Sequence, residues 1–201
     1  MSTGQSTLVI SAHAADFVWR AGGAIALAAS RGEQVKVLCL SYGERGESAS
    51  AWRAGKTLDE IKALRRAEAT TAAAALGAEI EFLDAGDYPL RESDELTHRI
   101  VEVYRLVNPS VVLTHALADP YNGDHPAAAQ MALRARVLAQ AAGYPAPGEP
   151  IGAPPVFLFE PHQPEMCNFK PQVILNIDEV WDVKRKTIGR ASCRERVSDT
   201  V

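Results

Sequence analysis

Six short apolar runs punctuate the chain, at residues 7–11 (TLVIS), 35–40 (VKVLCL), 79–83 (EIEFL), 111–115 (VVLTH), 155–160 (PVFLFE) and 173–177 (VILNI). Runs of this length, rich in β-branched and aromatic side chains, predict buried strands. Between them, apolar positions recur at helical spacing. Residues 17–31 end at Gly32 and residues 58–76 at Gly77, each a glycine placed where a helix closes in the left-handed conformation. Residues 94–107 stop before Asn108 and Pro109, and 126–142 stop before Gly143. Alternating strand and helix predict an α/β domain: a Rossmann-like, mostly parallel sheet with helices on both faces. The polar stretches 42–57, 84–93 and 116–125 each follow a strand, and in doubly wound sheets such loops carry the site. Residues 143–155 form a Pro/Gly-rich linker, and no internal repeat is found.

Charge narrows the range of partners. The 201 residues hold 21 Lys+Arg against 25 Asp+Glu, and no long basic run gathers, which argues against a nucleic-acid or anionic-membrane surface. No window reaches ~18 uninterrupted apolar residues, and the first residues lack a positive n-region, so neither a membrane span nor a standard secretion signal is expected. Cys39, Cys167 and Cys193 are few, odd in number and far apart, which suits a reducing cytoplasm better than a disulfide framework. Residues 1–187 read as one domain. Helical and strand patterning fades near Lys186, and a DNA string encoding 188–197 resembles a sequencing-library adapter read in frame. Residues 188–201 are therefore expected to be a non-native tail on a C-terminally shortened domain.

The sharpest candidate chemistry is His13 and Asp16 after the first strand, and His125 in the polar knot 119–126 (DPYNGDHP) after the fourth. In the common strand order 3-2-1-4 the first and fourth strands are neighbours, and their carboxyl ends flank the switch point. Two imidazoles and a carboxylate suit a divalent cation such as Zn²⁺ and leave a position open for catalysis. The plainer alternative is a capping Asp16 and two hydrogen-bonded histidines.

The segment SAHAADFVWRAGG resembles the Ala-His-Pro-Asp-Asp motif of the PIG-L/LmbE-like zinc-dependent de-N-acetylases, LSYGERGES their Gly-Glu-x-Gly segment, and GDHPAA their later His motif. The likeness runs from about residue 7 to 187 and implies His13, Asp16 and His125 as zinc ligands. It also implies a general base at position 15, where this chain has Ala15. A methyl group cannot move a proton, so a different reaction at the same metal is expected. One branch of the superfamily, the 4-oxalomesaconate hydratases of gallate breakdown, matches more closely. It shares ADFVWRAGG, GERGES with Trp52 and Arg53, GDYP at 86–89, DPYN with DHP, and FEPHQPE at 159–165. That resemblance implies a lyase adding water to a C=C bond of a small oxo-polycarboxylate. Acid and base must then come from elsewhere. Glu47 and His162 are the expected proton-transfer pair, with Glu44 competing. Arg20, Arg45 and Arg53 are expected to take the substrate carboxylates, and Tyr121 and Asn122 to orient them. Asp124 is expected behind a ligand histidine, whereas Arg65 and Arg66 read as solvated or structural and the three tryptophans as packing. Two alternatives stand beside this: a sugar de-N-acetylase with Asp87 or Glu47 substituting at Ala15, and a catalytically silent metal-binding domain. A homo-oligomer is compatible with either enzyme.

Overall fold

The computed structural model describes residues 4–191. Its first strand, β1 (Ser6–Ser11), is buried along its whole length, because helices cover both of its faces. Leu8 and Ile10 point to one core and Val9 to the other, as strand alternation requires. Four more strands join it in parallel: β2 (Gln34–Cys39), β3 (Glu79–Phe82), β4 (Val111–Thr114) and β5 (Val156–Leu158). Their order is β3-β2-β1-β4-β5, the doubly wound arrangement expected from the sequence. Val9 faces Val37 on one side and Leu113 on the other, so the loops after β1, β2 and β4 open at one edge.

On one face, α4 (Asp94–Val107) and α5 (Asp124–Gln140) bury Ile100, Tyr104, Met131 and Ala135 against Leu8, Ile10, Leu38 and Val112. On the other, α1 (Gly22–Ser30) and α3 (Leu58–Leu76) bury Ile25, Ala69, Ala73 and Leu76 against Val9, Val37 and Cys39. Each such aliphatic side chain contributes ~1.5–3 kcal/mol when removed from water. Local signals set the ends. Thr57 and Glu60 form a reciprocal capping box on α3, and Gly77 closes it at φ 81°. Ser93 caps α4 through its hydroxyl, and Asn108 ends it in the left-handed region. α2 (Ala49–Arg53) is a short helix within the expected 42–57 loop, and α6 (Trp181–Ala191) closes the described chain, with Ile188 still resting on the core. Most of the expected 188–201 tail lies outside the described residues.

Three expectations need correction. The expected helix 17–31 opens as a π-helical turn, Phe17–Ala21, before becoming α-helical. The helix expected over 126–142 begins two residues earlier and ends at Gln140. The sixth apolar run is not a strand: Val173, Ile174 and Leu175 are exposed, and only Ile177 turns inward. There it fills the space over Gly23, where a Cβ would come within 2.8 Å of it. β-branched residues make a strand only where a ladder receives them, and among the described residues β5, three residues long, pairs with β4 alone. Residues 169–175 instead line a cavity of about 830 Å³ with Leu113, Phe157 and Phe159.

Candidate metal centre and active site

β1 leaves the sheet at Ser11, and His13 follows in a buried turn. Asp16 Oδ2 accepts from the His13 backbone N–H and lies 2.9 Å from its Nδ1. The Ala15 carbonyl accepts from Val18 and Trp19 N–H, so the chain coils at once and turns Asp16 back towards the strand end. The far ring nitrogen of His13, Nε2, is 3.1 Å from Asp124 Oδ2. Asp124 also accepts from the N–H groups of Tyr88 and Leu90, both 2.9 Å away, which fixes the carboxylate. It stands against the far nitrogen of the candidate ligand His13.

His125 sits in the first turn of α5, and Asp119 Oδ2 lies 2.7 Å from its Nδ1. A carboxylate only accepts, so Nδ1 carries a proton, and in the neutral ring Nε2 presents a lone pair. That Nε2 is buried without a hydrogen-bond partner and stands 3.5 Å from Asp16 Oδ1. One donor atom each from His13, Asp16 and His125 lie within 4.8 Å of one another. An orphaned buried nitrogen costs roughly 1–3 kcal/mol. A cation bound between the three residues would remove that cost, and two nitrogens with one oxygen, each imidazole backed by a carboxylate, are the donors such an ion takes.

Electrostatics follow the same geometry. Burial opposes charge on His13, but Asp16 and Asp124 outweigh it and hold the ring's pKa well above the usual value. Burial likewise opposes charge on Asp16, and His13 and His125 outweigh it, pulling that carboxyl well below its usual range. The carboxylates thus hold a proton where the cation would stand. Exchanging Asp119 for Asn keeps the shape but removes the charge that polarises His125. It should weaken the affinity for a divalent cation at this centre about 10–100-fold, read by competition with a chromogenic chelator, while circular dichroism stays unchanged.

A further buried imidazole, His115, carries no motif of its own in the sequence. His115 follows β4, its Nε2 accepts from the Ala12 backbone N–H at 2.9 Å, and its ring stacks on His125 with centroids 4.3 Å apart. Burial drives its pKa down to about 3, so it is neutral, with its proton on Nδ1. It pins the turn carrying His13 and supports one face of the His125 ring. The available signal was its place, one residue past a buried strand beside β1.

The other expected residues flank this centre. Glu47, from the loop after β2, is half-buried, and Oε2 accepts from Arg65 Nη2 at 2.8 Å. Burial, then the nearby Asp16 charge, raise its pKa to about 6. Glu44 is fully buried and turned back on its own loop, accepting from the Tyr42 N–H, and burial raises its pKa as well. The loop itself hangs on Asp87, which accepts from the N–H groups of Arg45 and Gly46. Arg45 returns a hydrogen bond to the Asp87 carbonyl, and Arg53 is exposed at the end of α2. From the opposite side, past β5, comes His162. Arg20 Nη2 lies 2.9 Å from its Nδ1, and Tyr121 stacks on it at 4.5 Å. A guanidinium only donates, so His162 Nδ1 accepts and the proton of the neutral ring is on Nε2. Asn122 donates to the Tyr88 hydroxyl and accepts from the Asp124 N–H, tying two site loops together. Trp19, Trp52 and Trp181 are each about half exposed, and Trp52 donates to the Glu44 carbonyl.

A parallel sheet whose carboxyl edge gathers two imidazoles, one with an orphaned nitrogen, and a carboxylate defines an α/β protein with a donor set that could hold a divalent cation. The chain belongs to the PIG-L family, described as GlcNAc-PI de-N-acetylase, whose pattern matches residues 8–136. It is 56% identical over 191 residues to a protein of Pseudomonas putida KT2440 named 4-oxalmesaconate hydratase, spanning 94% of this chain and 74% of that one. It is 32% identical over 173 residues to a 1D-myo-inositol 2-acetamido-2-deoxy-alpha-D-glucopyranoside deacetylase of Rhodococcus erythropolis PR4, spanning 73% of this chain and 58% of the relative. Among solved structures, GalB, the 4-carboxy-2-hydroxymuconate hydratase of the same Pseudomonas, superposes with a TM-score of 0.92 at 53% identity, covering 95% of this chain and 80% of that one. The N,N'-diacetylchitobiose deacetylase of Pyrococcus horikoshii shares the fold at a TM-score of 0.80 and 23% identity, covering 93% and 69%.

Proposed function

We propose that this chain is a zinc-dependent hydro-lyase that adds water across the C=C bond of 4-oxalomesaconate, giving 4-carboxy-4-hydroxy-2-oxoadipate. One observation carries the reading: a complete metal donor set stands beside Ala15, in a chain 56% identical to a hydratase of that substrate. An amidase needs a carboxylate beside the metal to relay a proton to the leaving amine. Hydration expels no amine, and its two proton transfers can be made from two sides.

A divalent cation held by His13, Asp16 and His125 supplies Lewis-acid polarisation of a substrate oxygen. Glu47, with a pKa near 6, is mostly carboxylate at neutral pH and takes the proton of the attacking water. His162 is the acid: when Arg20 turns from its Nδ1 to a substrate carboxylate, Nδ1 is free to take a proton, and the imidazolium then gives its Nε2 proton to the substrate carbon. Glu44 is the second candidate base, but its carboxylate is engaged with its own loop. Arg20, Arg45 and Arg53 neutralise a polycarboxylate, Arg20 from a position that also orients His162. Tyr121 and Asn122 shape the mouth between them. Among the described residues no helix is long and apolar enough to cross a membrane, and the free thiols of Cys39 and Cys167 suit a cytoplasmic enzyme.

The test is direct. Zinc-loaded protein is mixed with 4-oxalomesaconate and, separately, with an N-acetylglucosaminyl compound. Loss of the conjugated absorbance with no acetate release is expected. Acetate release without hydration would make the protein a deacetylase, and neither change would make it a silent metal-binding domain.

A further inference from the structure

We propose that Arg65, on α3 and outside the metal centre, is a positioning residue that clamps Glu47 by one carboxylate oxygen and leaves the other for the substrate water. The proposal rests on the reading of Glu47 as the base. The Arg65 side chain is 2% exposed, and a guanidinium cannot shed its charge, so it must be met by partners. Glu68, one turn further along α3, accepts from Nη1 at 2.9 Å. The Tyr42 carbonyl lies 3.4 Å from Nε. Nη2 reaches across to Glu47 Oε2 at 2.8 Å. The helix therefore brings its own counter-ion and spends its remaining fork on a loop carboxylate.

The loop is shaped to receive that clamp. Glu47 N–H donates to the Gly43 carbonyl at 3.1 Å, folding the side chain back over Gly43. Gly43 has φ +67°, and a Cβ there would lie 2.4 Å from Glu47 Oε2. Only glycine leaves the carboxylate room against Arg65. The ionisable groups that face Glu47 are His13 and Asp16 after β1, Cys39 on β2, Tyr88 after β3 and Arg65 on α3. Among the described residues, Arg65 is the partner that hydrogen-bonds the carboxylate, through Oε2. Oε1 keeps its lone pairs for the proton it is to take. A carboxylate fixed in this way cannot rotate out of line, and a misplacement of ~1 Å at a reacting group can cost ~10²-fold in rate.

The experiment uses the zinc-loaded full chain and four variants: Arg65→Gln, Arg65→Lys, Gly43→Ala and Glu47→Gln. For Arg65→Gln, kcat is expected to fall about 10–100-fold with KM and zinc content close to the parent. Arg65→Lys, which keeps a donor and the charge, should recover part of that loss. Gly43→Ala should lose kcat in the same manner, because its methyl displaces Oε2 without altering any charge. Parent kcat in Arg65→Gln overturns the proposal, as does a loss of zinc in step with kcat, or Arg65→Lys no better than Arg65→Gln. If Arg65→Gln does not fold, parent kcat in Gly43→Ala overturns it alone. Glu47→Gln separates the two levels: if it stays active the base assignment itself fails, and if it is inactive while Arg65→Gln and Gly43→Ala match the parent, only the clamp fails.

Discussion

Exchanging Glu47 for Gln is expected to lower kcat by about 10²–10⁴-fold, the usual contribution of a positioned base. Zinc content and the melting temperature should hardly change, because the amide is isosteric and can still meet Arg65 through its oxygen. The same group predicts the acidic limb of the pH profile. Burial and the Asp16 charge raise the Glu47 pKa to about 6, so the carboxylate needed as base is lost as pH falls through that value. Activity should therefore fall as pH drops through about 6. Steady-state kcat/KM from pH 4 to pH 8 reads this directly. A limb that persists unmoved in Glu47→Gln would assign it to another group.

The largest loss is expected from His125→Ala. The change removes the proposed donor atom that is without a hydrogen-bond partner among the described residues, and it leaves Asp16 and Asp119 facing an emptied space. Zinc affinity should fall by more than the roughly 10–100-fold that an outer partner is worth, and hydratase activity should disappear with it. Thermal unfolding gives a second readout. Zinc that binds only the native state raises the melting temperature of the parent, and that rise should vanish in the variant. A variant that keeps one equivalent of zinc after gel filtration would mean that the cation sits elsewhere.

How far the sequence foretold this arrangement depends on whether a feature is local. Five apolar runs became strands because each finds a neighbour in the sheet, β1 buried along its whole length and the edge strands β3 and β5 only in part, and their order placed His13 beside the loop of His125. Asp16 was visible because it lies three residues from the ring it meets, and Asp119 stands six residues before His125, whereas Asp124 meets His13 across 111 residues and was legible only through the motif that holds it. The run at 173–177 has a strand's composition but no neighbour to pair with, and nothing in its own residues reveals that. Arg65 reads as one of two adjacent arginines on an amphipathic helix. Its burial follows from the α3 face that meets the loop after β2, a contact between residues 18 positions apart. His115 was hidden for the same reason: its partner, the Ala12 N–H, lies 103 residues away, and only strand pairing joins them.

The chain separation at the centre also fixes when the cation can act. His13 and Asp124 are 111 residues apart and meet only after β1 and β4 have paired side by side. Closing so long a loop must precede the ligand set. The ion therefore arrives at a frame already assembled: it should leave the speed of refolding nearly untouched and act by slowing the escape from the native state.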